Sequence, residues 1–279
     1  MPRIPRFENL IFSRVIRQQW KFRRICFALI LQGALMLVIC QLLFHAKLGQ
    51  FADLIFLSEA LLVLIVAPYL ACSTLNRHFT PLLSGELFQL SQIDLRSGWM
   101  RVILGSQIYT FCFLILAALA LTIFIPSISD RTHLEVVQLQ LVCGIHTIVA
   151  ALVGGLWWRI VRHEILATEA TYLVWILLVG GVLVLSPLDR YVENLEPIIP
   201  PFLHLNPLSA VCHLLELDVF RTPHLYELTP IPSYRVVYPS WHIVCAWQIL
   251  IGICCVILAR WNRSQIFVHR SLYIDRSEV

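Results

Sequence analysis

The sequence predicts an all-α, polytopic membrane protein with six transmembrane helices, and three observations predict it. Apolar residues make up 58% of the 279 and charged residues only 14%, with a mean hydropathy of +0.77, a balance outside the range of soluble domains. Six apolar runs each approach the roughly 20 residues that a helix needs to cross about 30 Å of hydrocarbon. None of the runs alternates apolar with polar residues, as the strands of a membrane barrel would, so helices are the remaining way to satisfy every backbone group in lipid.

Residues 1–24 come first. In "ENLIFSRVIRQQWKFRR" a helical winding gathers Phe12, Ile16 and Trp20 on one face and Arg14, Arg17, Lys21 and Arg24 on the other, the pattern of a helix lying in the inner interface. Plain positive flanking of the first span is the simpler alternative. The first span runs from Ile25 to Phe44. It is too long for the apolar part of a signal peptide, and "FHAKLGQF" leads straight on without a small-residue cleavage site.

The second span is Leu54 to Leu75, with Glu59 about one turn in, where its carboxyl either is functional or reaches the headgroup region. Between it and the third span, Val102 to Ile125, lies "LLSGELFQLSQIDLRSGW". There Leu83, Leu87, Leu90 and Ile93 recur at helical spacing while Glu86, Gln89, Gln92, Asp94 and Arg96 give polar cover, and Gly85 and Gly98 punctuate the ends. A short helix fixed here is joined rigidly to the third span, so a push on it tilts that span.

The fourth span, Val136 to Trp158, holds His146 at depth. An ionisable group there is a functional candidate by default, and a neutral histidine bonded to a neighbouring helix is the structural alternative. "RIVRHEILATE", from Arg159 to Glu169, joins it to the fifth span, Ala170 to Leu188, and its mixed charges suit pairing along a solvated turn or a partner contact. Residues 189–239 carry eight of the fourteen prolines. Such density breaks long helices and leaves room for a short one from Ser209 to Phe220. The last span is Trp241 to Trp261, and a tail of residues 262–279 follows.

Lysines and arginines set the orientation. With the N-terminus inside, sixteen fall in inner segments and five in outer ones, which places both termini in the cytoplasm and residues 189–239 outside a cell's inner (plasma) membrane. The net charge of +4 is explained by anionic inner-leaflet lipid and calls for no nucleic acid. Eight of the nine cysteines, all but Cys212, lie within apolar spans as small packing residues. No spacing has the form of a metal site, so no metal or cofactor is expected on this chain.

The layout and several short motifs resemble the permease subunits of the ABC-2 family of ABC transporters. The resemblance rests on Asn76, Arg77, the start at Gly85-Glu86-Leu87, then Arg96-Ser97 and Ile103-Leu104-Gly105, and on "FLHLNPLSAVCHLLEL", Phe202 to Leu217, where Asn-Pro-Leu precedes a short apolar helix. The chain departs from the family pattern in three ways. Thr80-Pro81-Leu82 precedes the short helix, Ser106 replaces the usual Lys, and Glu86 to Gly105 is a few residues longer.

The resemblance implies that residues 1–24 are an elbow helix and that the stretch Glu86 to Trp99 is a cytoplasmic coupling helix, with Glu86, Gln89, Asp94 and Arg96 contacting an ATP-binding cassette ATPase subunit. It further implies a homodimer or a pairing with a homologous permease, ATP bound only on the partner, and a gate in residues 189–239. The chain has two lysines, Lys21 and Lys47, and neither follows a phosphate-binding glycine loop.

Two other classes stay open. A non-transporting membrane scaffold is compatible with every span. His213 and Asp218 stand in the H-x4-D arrangement of glycerolipid acyltransferases, where the aspartate orients a histidine base, but no further block of that family and no hydrolase or protease motif accompanies them. Glycine pairs at 154/155 and 180/181 mark close helix packing. Nothing in the spans selects a substrate.

Overall fold

A computed structural model describes residues 51–83, 99–108, 110–112, 114–115, 132–189, 191–192, 194–217 and 237–274. Their regular structure is entirely helical. We number the helices α1 (Phe51–Leu83), α2 (His133–Val161), α3 (Glu164–Gly180), α4 (Leu185–Leu188), α5 (Ile199–Leu205), α6 (Leu208–Leu214) and α7 (Trp241–Ile274), with a 3-10 turn at Gly181–Val184 between α3 and α4. A helical segment spanning 99–115 turns at Gln107, whose N–H reaches back only three residues to Leu104 O.

Four stretches are long and apolar enough to cross a membrane: Ile55–Asn76, His133–Val161, Glu164–Leu183 and Trp241–Ala259. They correspond to the second, fourth, fifth and last expected spans. The first expected span, Ile25 to Phe44, and the elbow residues Arg14, Arg17, Lys21 and Arg24 lie outside the described residues. So does the second half of the third span.

The fifth span needs correction. Its helix starts at Glu164 rather than Ala170, and the connection from α2 shrinks from a solvated turn of eleven residues to Arg162 and His163. Thr168, which helps disguise this start, is satisfied inside the helix, its Oγ1 donating to Glu164 O, as does Thr171 one turn on to Ala167 O, each at 2.8 Å. Arg162 takes the left-handed conformation (φ 58°) and its N–H closes α2 on Trp158 O, while His163 Nδ1 accepts from Leu166 N–H and opens α3. One residue ends a helix and the next begins one.

At its far end α2 begins with a capping box. Thr132 Oγ1 accepts from Glu135 N–H at 3.3 Å, and the Glu135 carboxylate accepts from Thr132 N–H at 3.4 Å.

Helix α2 is the centre of the bundle, packed against α1, α3 and α7. Small residues let it approach closely. Gly154 lies against the backbone of Pro68 in α1, and Gly155 against Ile103 and Trp99, as expected for the 154/155 pair. Gly181 of the second pair meets the Phe202 ring of α5. Pro68 sits inside α1 without an N–H to give Leu64 O. Neighbouring carbonyls of that turn take side-chain donors from other helices: Tyr172 Oη donates to Ile65 O at 2.9 Å and Gln107 Nε2 to Ala67 O at 3.0 Å.

The described part of the proline-rich segment, residues 194–217, is packed structure. Pro200 and Pro201 stand in the first turn of α5, where no N–H is required of them. The expected helix from Ser209 to Phe220 is shorter than its sequence suggests: α6 ends at Leu214, and Glu216 turns out of it with φ 52°. Ala210 and Val211 are fully buried in a cluster with Leu57 and Ala60 of α1, Val142 of α2 and Val244 of α7. The α5–α6 pair therefore folds back into the bundle.

Candidate functional site

Three groups of polar side chains stand out among the described residues. The first is the bundle end where α1 finishes and α2 turns into α3. Asn76 Nδ2 donates to Glu164 Oε2 at 3.3 Å and ties the two helices. The guanidinium carbon of Arg159 stands 5.7 Å from the Trp99 ring centre and that of Arg162 stands 5.5 Å from Trp158, both within cation–π reach. Trp99 is buried, and with Ile103 it fills the notch left by Gly155. The stretch expected to contact an ATPase lies in the sequence between α1 and the helical residues that begin the described part at Trp99. Glu86, Gln89, Asp94 and Arg96 themselves lie outside the described residues.

The second region is the interior between α1 and α2. Glu59 points into the bundle. It is 1% exposed and its Oε2 accepts from Gln140 Nε2 at 2.7 Å. Glu59 Oε1 and Gln140 Oε1 have no hydrogen-bond partner among the described residues. His146 is wholly buried on α2, and neither ring nitrogen has a hydrogen-bond partner among the described residues. Among the described residues, then, no neighbouring helix supplies the alternative bond. Sequence reasoning singled out Glu59 and His146 but missed Gln140, since one amide in an apolar run carries no periodic signal.

Asn206, in the Asn-Pro-Leu motif, has a definite task. Its Nδ2 donates to Val179 O at 3.1 Å, a carbonyl at the end of α3 where the helix gives way to the 3-10 turn. Its Oδ1 accepts from Leu208 N–H at 3.0 Å and starts α6. Gln248 Nε2 of α7 donates to Leu205 O at 2.9 Å and covers the end of α5. Three helix ends that would otherwise bury bare backbone groups are covered by two amides.

His213 lies half-buried in the last turn of α6, while Asp218 falls outside the described residues. Among the described residues no group of three or more His, Cys, Asp or Glu side chains is placed to hold a metal ion.

Fold and site together define an all-helical protein with the apolar helices of a membrane protein. Set beside known protein families, curated proteins and solved structures, the chain matches none.

Proposed function

We propose that the chain is the membrane-spanning permease subunit of an ATP-driven ABC-2-type transporter, working as an exporter. In this reading it has six spans, an elbow helix and both termini in the cytoplasm. It pairs with a second copy or a homologous permease, and ATP is hydrolysed by a separate ATPase subunit.

One observation supports the proposal beyond sequence layout: Trp99, the last residue of the expected coupling stretch, is buried in the bundle. Trp99 lies under Arg159 and against Gly155 of α2. A force applied to Glu86, Gln89, Asp94 or Arg96 would reach α2 through that contact and α3 through the two-residue link. Such rigid coupling is what alternating access requires of the membrane subunit. The buried α5–α6 pair supplies a structured candidate for the gate.

The test is recovery of partners from gentle detergent with the tagged full chain and a Glu86→Arg/Asp94→Arg double variant. A Walker-motif ATPase recovered with the wild type and lost with the variant supports the transporter. A stable complex without any ATPase, from correctly folded protein, favours a scaffold instead.

A further inference from the structure

The two unpartnered oxygens between α1 and α2 belong to the two members of a single hydrogen-bonded pair. Gln140 Nε2 donates to Glu59 Oε2, leaving Glu59 Oε1 and Gln140 Oε1, both acceptors, without a donor among the described residues. An acceptor buried without a donor costs several kcal/mol in hydrocarbon, and an uncompensated carboxylate costs more. Among the described residues a counter-cation is not at hand. The apolar parts of the elements packed here, Phe51 to Asn76, Val102 to Ile115, Val136 to Trp158, Leu208 to Leu214 and Trp241 to Ala259, contain no lysine or arginine. The other basic side chains of those stretches are His146, His213 and His242, and their one other carboxyl is Asp53; none is a fixed positive charge. Two side-chain oxygens are also far fewer than the six to eight that a hard cation such as calcium takes.

A single proton resolves both vacant acceptors. We propose that Glu59 and Gln140 form an acid–amide pair that binds one proton inside the helix bundle. The proton resides on Glu59 Oε1 and is donated to Gln140 Oε1, while Gln140 Nε2 donates to Glu59 Oε2. The ring so formed leaves neither side chain with an unmet hydrogen-bonding group and carries no net charge. It also couples the proton to conformation. Separation of α1 from α2 that admits water lets Glu59 release the proton, and closure takes one up. The site is therefore a proton-linked latch between the two helices, whatever substrate the protein serves.

Infrared difference spectroscopy on the full chain in lipid at neutral pH reads the carbonyl stretch of protonated carboxyl groups directly. We expect a band in the wild type that is lost in Glu59→Gln and retained in Asp53→Asn. In Gln140→Leu the band should move to higher frequency as the carbonyl oxygen loses its donor. Glu59→Gln should keep the wild-type melting temperature, because a carboxamide there can make the same paired ring. The proposal is overturned if the wild type has no such band, or if the band survives Glu59→Gln. It is equally overturned if the band emerges only when sodium is removed, which would assign the site to a cation.

Discussion

Gly154 of α2 lies so close to Pro68 of α1 that a methyl group added to the glycine would meet the proline Cα at 3.1 Å and its carbonyl oxygen at 3.2 Å. Both contacts are to backbone, which cannot swing aside. Gly154→Ala is therefore expected to destabilise the protein by about 1–3 kcal/mol, the usual range for overpacking. Gly252→Ala in α7 is the contrast. Its methyl would meet the side-chain ends of Leu152 and Val149 at 3.4 and 3.5 Å, ordinary contacts, and replacing a helical glycine by alanine gains roughly 0.5–1 kcal/mol. Thermal unfolding of both variants in one detergent should move in opposite directions.

Asn206 joins the end of α3 to the start of α6. Asn206→Ala leaves Val179 O and Leu208 N–H without that partner, at about 1–3 kcal/mol for each buried group left bare. Asn206→Asp keeps the acceptor for Leu208 but sets a buried carboxylate oxygen against Val179 O, so it should be no more stable than the alanine variant. Limited proteolysis across residues 199–217 should find the wild type the most resistant of the three.

Trp99 is the buried plug at the bundle end, and its removal opens a cavity. Trp99→Ala should cost about 3–5 kcal/mol. Arg159→Ala alone should cost less, and a double-mutant cycle between the two should return a coupling of roughly 0.5–1 kcal/mol from the cation–π contact. A cycle that closes to zero would mean the stacking contributes nothing beyond packing.

The capping box at Thr132 gives a local test. Thr132→Ala removes the oxygen that receives Glu135 N–H and should lower stability by about 1 kcal/mol. Thr132→Ser preserves the oxygen and should be close to neutral. Hydrogen exchange in the first turn of α2 should rise in the alanine variant alone.

Much of this architecture was legible in the sequence, for a physical reason. Helices α1, α2 and α7 are continuous apolar runs, so the expected spans Leu54 to Leu75, Val136 to Trp158 and Trp241 to Trp261 agree with the observed ones within about three residues at each end. The start of α3 was hidden because Glu164, Thr168 and Glu169 read as a polar connection. Hydropathy does not register that a threonine bonded to its own helix costs little. The tight Arg162–His163 link was equally invisible, since a left-handed arginine has no sequence signal of its own. Glu59 was visible as a lone carboxyl in an apolar run. Its partner was not, because the two residues are 81 positions apart and only the packing of α1 on α2 unites them. Asn206 was visible as part of a motif, but which backbone groups it serves depended on where α3 stops.

The two-residue link has a consequence for topology. Two extended residues span at most about 7 Å, far less than the roughly 30 Å hydrocarbon layer. A pair joined so tightly ends one helix and begins the next on the same side of any layer they cross, as a helical hairpin with Arg162 and His163 at its tip. A charge placed at that tip would therefore act on two crossings rather than one.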